Sequence, residues 1–536
     1  MNQLKKVLGV LLVAVLSLAA CGGTAQGDKT LYVAIEKTFS TLNPQDSNVL
    51  AEKEVIGQYM EGLFGYDADN TLIPLGAKGV DITTDGLTYT FTLRPEVKWA
   101  NGEVITANDY VFAWQTLVSN KLAAFRNQAE VIKNADAIMK DNKPKEELGV
   151  KALDEQTLQV ELVRPYPAFL HMISTSTFYP IHAETFQKAD SEAYGTTPDN
   201  IMENGPFLFD SYEVGAKIIL KKNPEYWDVG NVKLDTVDIT VVPELATQSV
   251  LFDNKELDII RLQGELVDTY KNTENVIQGQ ENRILYMYLA PSMENSTAAL
   301  KNKNFRQAIA HSINKTLIAE NIMKDGAVAQ DGLFPRGFID VKGQDFRDFS
   351  AKYNDPMFDV DKAVSYLEAA KKELGVEQIT FNFAVQDMVT TKKIFENVKS
   401  QVEENLPGVT MNLEVMANQI YFPTLLEHTT PAAMVTWSAS YIDYRNFTNQ
   451  FEGDSSYNLA GYKNQTFDEK VKAGAIESDP VKQAKLFAEA EAILLDDAAC
   501  IPLYQSGASY KINPQIKNFS IRGAAPSIAY KYLSKE

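Results

Sequence analysis

The sequence predicts an α/β protein of more than one domain, and three observations carry the expectation. Between residues 360 and 415 the apolar spacing alternates between helix and strand: 360–374 repeats at helical spacing and stops at Gly375, 379–385 is a strand, 391–404 a second helix and 409–415 a second strand. The chain has 536 residues, enough for two or three hydrophobic cores rather than one. It has only two cysteines, Cys21 and Cys500, so its stability rests on buried apolar side chains and not on a disulfide framework.

At the start, Lys5 and Lys6 precede an apolar run, 7–20, that is too short to span a bilayer and ends in Leu18-Ala19-Ala20-Cys21 before Gly22-Gly23. This is the pattern of a secretory signal peptide with a lipoprotein cleavage site. Small residues before the cut fit a peptidase cleft, and the Cys21 thiol at the new N-terminus is the nucleophile that accepts lipid. Two or three acyl chains hold a protein on a bilayer where one does not. The expectation is a leader over 1–20, a lipidated tether over 21–29 and a protein held on the extracytoplasmic face of the cell membrane. The excess of Lys over Arg and the Gly after the cut point to a Gram-positive source. Loss of the leader takes Lys5 and Lys6 with it and moves the formal charge from −20 to about −22. Nucleic acid is excluded as a partner by that charge, and the acidic surface reads as a solvated face.

Along the mature chain, 31–35 alternates into a strand. The turn-forming loop Phe39-Ser-Thr-Leu-Asn-Pro44 follows, then helical spacing over 49–63, closed by Gly65. Segment 88–94 puts Tyr89, Phe91 and Leu93 on one face of a strand and threonines on the other, ahead of an Asn101-Gly102 turn. Thr106-Ala-Asn-Asp109 is a capping box that opens a helix carrying Tyr110, Val111, Trp114, Leu117 and Val118. A strand over 156–162 precedes Arg164-Pro-Tyr-Pro-Ala-Phe169, which starts the element with His171. Asn204-Gly-Pro-Phe207 opens a hairpin, 207–220, and a strand (237–242), a helix (246–254) and the apolar run 257–260 follow.

In the second half, 284–289 is an apolar strand and 304–315 a helix with Phe305, Ala308, Ile309 and Ile313 on one stripe. After the alternating region, 432–437 is a short apolar, β-branched run that makes a buried strand, and 438–445 is the polar, aromatic loop that leaves it. Binding groups concentrate on loops carried by rigid strands, so this segment is the candidate ligand site. Pro480 opens a long helix to Leu495, and 501–504 crosses back towards the first half.

Catalytic motifs are missing. The sequence has no His-Glu-x-x-His, no Gly-x-Ser-x-Gly, no phosphate-binding Gly-Lys-Ser/Thr loop and no paired-cysteine motif. Its four histidines, His171, His182, His311 and His428, show no ligand spacing. No enzyme, metal or cofactor is expected.

The segment Trp437-Ser-Ala-Ser-Tyr441-Ile-Asp443-Tyr444 resembles Trp-x-x-Asp-Tyr-x-(Asp/Glu)-Pro of the oligopeptide-binding lipoproteins, the family-5 extracellular solute-binding proteins of ABC importers. Trp437, Tyr441 and Asp443 match; Ser440 and Tyr444 do not. Further likeness lies in 77–103, in Asn204-Gly-Pro-Phe207, in Asn223-Pro-Glu-Tyr-Trp227, in the Phe305-Arg-Gln-Ala-Ile309 helix and in Gly461-Tyr-Lys-Asn464 with Phe467-Asp468. The resemblance covers essentially the whole mature chain. It implies a two-lobed periplasmic-binding-protein-like fold of class II, of the large kind with an extra subdomain, hinged between lobes. Lobe I would comprise 30–64, 204–283 and 503–536, with 65–203 inserted into it, and lobe II 284–502. The hinge would lie where the chain crosses, near Ile284 and Ile501.

The function implied is capture of an oligopeptide between the lobes by a monomer, and its delivery to the membrane subunits of an ABC permease. Alternatives are a non-peptide ligand, such as a metal chelate, haem or oligosaccharide, an extracellular hydrolase, or an adhesin or chaperone-like lipoprotein. By position in the family, Asn48 and Leu50 would contribute from the first lobe. The main chain of Thr436 and Ser438 would pair with the ligand as a strand, beside Trp437 and Tyr441. The departure falls at Ser440 and Met434, where enteric-type relatives carry an Asp for the ligand's amine and an Arg for its carboxylate. Either Asp443 replaces the amine partner, or the termini lie in solvent and longer, capped or unusual ligands are favoured. The second is preferred, because three residues displace a carboxylate by several ångströms.

Overall fold

The computed structural model describes residues 29–536 apart from 38–39, 48–49, 122, 124, 354–357, 456 and 524–525. Eleven strands form one continuous sheet through the molecule. In chain order these are β1 (Thr30–Ile35), β2 (Phe207–Glu213), β3 (Lys217–Lys222), β4 (Thr236–Val241), β5 (Ile259–Arg261), β6 (Val276–Leu289), β7 (Val328–Ala329), β8 (Ile379–Gln386), β9 (Val409–Met416), β10 (Ala432–Ser438) and β11 (Cys500–Ile512). Hydrogen-bonded neighbours run β9-β8-β10-β6-β11-β5-β1-β4-β3-β2, with β7 set against β11.

Two large hydrophobic cores pack against this sheet. The first gathers residues from Leu31 to Ile259 and takes Tyr510, Ile528, Tyr530 and Leu533 from the far end of the chain. The second runs from Ile284 to Tyr504. Within the first, strands Ala77–Ile82, Thr88–Leu93, Thr157–Glu161 and Val150–Asp154 make a separate antiparallel sheet, and Tyr89, Phe91 and Leu93 are buried as their alternation predicts. Helix Ala107–Ser119 packs on it with Tyr110, Trp114, Leu117 and Val118 buried. The Asp109 carboxylate accepts the Thr106 backbone N–H at 2.7 Å, so the capping box closes. In the second core, Asp359 caps helix Val360–Leu374, which ends on Gly375 at φ 68°, the left-handed turn that glycine adopts without strain.

Three segments differ from expectation. The helix expected over 49–63 is Leu50–Tyr59. Its end is fixed by a distant segment: the Tyr59 carbonyl accepts the N–H groups of Asn204 and Gly205 at 3.2 and 2.8 Å. A Cβ on Gly205 would lie 2.4 Å from the Tyr59 carbonyl carbon, so only glycine allows that approach. The other two are the crossing strands, β6 and β11, which are far longer than the apolar runs 284–289 and 501–504. Residues 276–283 of β6 are half-buried or exposed without clear alternation, and of these Glu281, Asn282 and Arg283 line an open cavity.

The two crossing strands pair antiparallel, Val276↔Lys511 to Gln280↔Gly507, and resume at Ile284↔Gln505. Glu281, Asn282 and Arg283 thus face Ser506 alone, a bulge at the passage from one core to the other. Glu281 bridges Arg261 and Arg283, each at 2.5 Å, and Arg283 Nε donates to Ser506 Oγ at 3.1 Å.

Candidate functional site

A cavity of about 2080 Å³ opens between the two cores, with the bulge of β6 in its wall. The end of β10 also lines it. That strand pairs with β6 from Leu289↔Ala432 to Arg283↔Ser438, and with β8 only at Ala384↔Ala433. The polarity of its polar groups follows from two contacts: the Ala439 N–H donates to Asn282 O at 3.0 Å on the β6 side, and Met434 O accepts Tyr421 Oη at 2.8 Å on the other. Alternation then turns the N–H and C=O of Thr436 and Ser438 away from β6, beyond the point where β8 pairs. Among the described residues this edge is unpaired, and Thr436, Trp437 and Ser438 all line the cavity.

The loop that follows touches both cores. Trp437, Ala439 and Ile442 pack against the second core, whereas Tyr441 packs against the first. Trp437 Nε1 donates to Asn446 O at 2.6 Å and its ring meets Tyr457 edge-on, 5.7 Å between centroids. Ser440 N–H points at Asn446 Oδ1, 3.4 Å away. Asp443 is 8% exposed; it accepts Tyr166 Oη in a short hydrogen bond and the Arg445 N–H at 2.9 Å. Tyr166 has one proton and gives it to Asp443, so Tyr441 is the donor in the 3.0 Å contact between the two hydroxyls. Burial, then the Asp443 charge, push both phenols well above their ordinary value and keep them protonated. Arg445 places its guanidinium on Glu452 at 3.2 and 3.3 Å and lies 3.9 Å from Glu130 across the cavity.

Asn48 and Cys21 fall outside the described residues. Leu50 opens helix Leu50–Tyr59, of which Ala51, Lys53 and Glu54 line the cavity; the Leu50 side chain falls outside what the structure describes. Met434 is buried in the second core and does not line the cavity. Tyr166, Lys53, Arg126, Arg164 and Glu281 line the cavity and were not expected from the sequence. The only signal was the aromatic in Arg164-Pro-Tyr166, read there as the start of the element that carries His171.

Each histidine has a partner. His171 Nδ1 meets Tyr66 Oη at 2.8 Å, with burial pulling its pKa down to about 4, and His182 lies between Thr185 and Glu103. His311 Nδ1 and His428 Nε2 face backbone carbonyls at 2.9 Å. Among the described residues no three His, Cys, Asp or Glu side chains group to hold a metal ion, and no helix is long and apolar enough to cross a membrane.

The model for bacterial extracellular solute-binding proteins, family 5 (middle), matches residues 71–458. The oligopeptide-binding protein OppA of Bacillus subtilis (strain 168) is 28% identical over 532 residues, covering 94% of this chain and 94% of its own. Among solved structures, the substrate-binding domain of an oligopeptide ABC transporter from Bacillus anthracis str. Ames is 34% identical with a TM-score of 0.79, over 95% of this chain and 99% of that one. Listeria monocytogenes OppA bound to peptide is 28% identical with a TM-score of 0.77, over 95% and 99%.

Proposed function

Because the chain belongs to family 5 of the bacterial extracellular solute-binding proteins and has their two-lobed, class II α/β fold, we propose that it captures oligopeptides in the cavity between its cores and delivers them to an ABC permease. The observation that carries the reading is the unpaired edge of β10 at Thr436 and Ser438, set in the wall of a cavity of about 2080 Å³. A peptide laid along that edge becomes an extra strand: its backbone satisfies backbone, so affinity does not require one side-chain sequence. Trp437 and Tyr441 flank the edge, held by Asn446 and Tyr166. Water filling the rest of the cavity accommodates side chains of different size.

The lobes of this reading are the two cores with the elements on them: 284–502 for the second, the remainder with inserted 65–203 for the first. The passage between them is the bulge Glu281–Arg283 opposite Ser506, so the hinge on the second crossing falls nearer Ser506 than Ile501. Closure follows from ligand contacts made on both sides, which favour the closed state over the open one. The Leu18-Ala-Ala-Cys21 motif supports a lipid anchor on Cys21 for a monomer on the extracytoplasmic face. Fatty-acid labelling should mark the wild type and vanish in Cys21→Ser; undiminished label would remove the anchor.

Mass spectrometry of the ligand released on denaturing protein purified from its own host tests the function. Intact peptides of mixed sequence are expected. A haem, a metal chelate or an oligosaccharide as the bound species would replace the peptide reading, and turnover of added peptides by the purified protein would point to a hydrolase.

A further inference from the structure

The charges in the cavity wall are unequally partnered. Its buried and half-buried carboxylates all have donors from the protein: Glu54 takes Ser527, Glu281 takes Arg261 and Arg283, Asp325 the Ala327 N–H, Asp443 takes Tyr166 and Glu452 takes Arg445. Among the half-buried cations, Lys53, Arg126 and Arg164 stand apart. No ion pair or side-chain hydrogen bond is formed by any of the three among the described residues, and Nη1 of each arginine is buried without a hydrogen-bond partner, the Arg164 guanidinium lying 5.1 Å from the centroid of the Tyr166 ring. The Lys53 ammonium rests 3.8 Å from the centroid of the Phe125 ring, and burial pulls its pKa down to about 8.

The segments that carry these three side chains adjoin, and all three side chains line the cavity. The six-residue 3₁₀ helix Arg126–Val131 begins beside Phe125, under Lys53, and at its other end Val131 O accepts the Val163 N–H at 2.9 Å, next to Arg164. At the rise of such a helix the strip is on the order of 10 Å long. A desolvated cation without a counter-ion is unfavourable, and in a protein of formal charge −20 this interior strip is not a sample of the average surface. What satisfies it is an anion with several acceptor positions, and a carboxylate takes guanidinium N–H groups and an ammonium together.

Building on the peptide-binding reading, we infer that the strip Lys53, Arg126 and Arg164 receives a carboxylate of the captured peptide, its C-terminus or an acidic side chain, and thereby selects ligands that carry negative charge at this wall. The selection complements the occupied Asp443, since a ligand amine finds its carboxylate already taken.

The test is equilibrium dialysis of the ligand-stripped protein against an equimolar pool of pentapeptides Ala-Ala-Xaa-Ala-Ala, with Xaa as Glu or Gln and each as free acid or C-terminal amide, read by mass spectrometry. Forms with the carboxylate should be enriched about tenfold over their amides. Enrichment following the terminus assigns the C-terminal carboxylate, and enrichment of Glu over Gln assigns a side chain. In Lys53→Met, Arg126→Gln and Arg164→Gln the enrichment should fall, while the pool is still bound. Equal retention of all four forms, or an enrichment unaltered in every variant, overturns the inference and leaves peptide binding intact. Retention of none counts against peptide binding. The strip is then judged by NMR of ¹³C-methylated lysines with glutarate as the probe. Lys53 titration should move up from about 8 when glutarate is added, and an unmoved titration overturns the inference.

Discussion

The Asp443 carboxylate lies where a ligand's amine cannot take it without displacing Tyr166. Its carboxylate accepts that phenol and the Arg445 N–H, and the side chain is 8% exposed. The contact also spans the cavity, because Tyr166 belongs to the first core and Asp443 to the loop carried by β10. Two outcomes follow. N-acetylation of a binding peptide should change its affinity for the wild type by less than about threefold. Asp443→Asn should weaken the acetylated and free peptides equally. The loss comes from a hydrogen bond to a charged group, of about 1.5–3 kcal/mol. Calorimetry on the four combinations decides it. If acetylation abolishes wild-type binding and Asp443→Asn reproduces that loss, Asp443 is the amine anchor after all. Trp437, Tyr441 and Asp443 stood out in the sequence because their spacing is local. Tyr166 did not, being 277 residues from the carboxylate it serves, and neither did Lys53, whose lack of a counter-ion is a property of the whole wall.

Local spacing names elements well where both faces of a segment are settled by packing. Helix Val360–Leu374 and the strand of Tyr89, Phe91 and Leu93 were legible for that reason, whereas β6 and β11 were legible only over their apolar halves. The other half of β6 is half-buried or exposed and that of β11 is buried with polar side chains among the apolar ones, so neither alternates cleanly, and their pairing is set by a partner strand more than two hundred residues away. Gly507, on β11 beside the bulge, shows how tightly that passage is built. A Cβ there would stand 2.3 Å from Asp325 O and 2.4 Å from Ala327 N, both backbone atoms that cannot turn aside. Gly507→Val should therefore cost about 1–3 kcal/mol of stability. Gly279→Ala, whose new Cβ meets the movable end of Ile521 at 3.2 Å, should cost less than about 1 kcal/mol. Urea unfolding of the two variants compares them, and equal midpoints would mean that segment 325–327 is not held against the strand.

At the scale of the whole molecule the two cores are joined through β6 and β11 and separated by a cavity that a ligand fills from both sides. Small-angle scattering on ligand-stripped protein should show a smaller radius of gyration when a binding peptide is added, with an unchanged far-ultraviolet spectrum, because the lobes turn about the bulge as packed units. An unchanged radius with binding confirmed by calorimetry would remove hinge closure. Placing the chain's last residues in the first core has a further consequence, for the order of events as the chain is made. Glu61 meets Lys531, Gln58 meets the Ile528 carbonyl and Glu54 meets Ser527, so the core begun by the earliest residues is sealed by the latest. A growing chain therefore carries its first core unfinished, with apolar surface exposed, until residues 508–533 have been made. A product stopped before residue 508 would lack the end of β11 that pairs with 276–279 and the buried Lys531 that closes the first core.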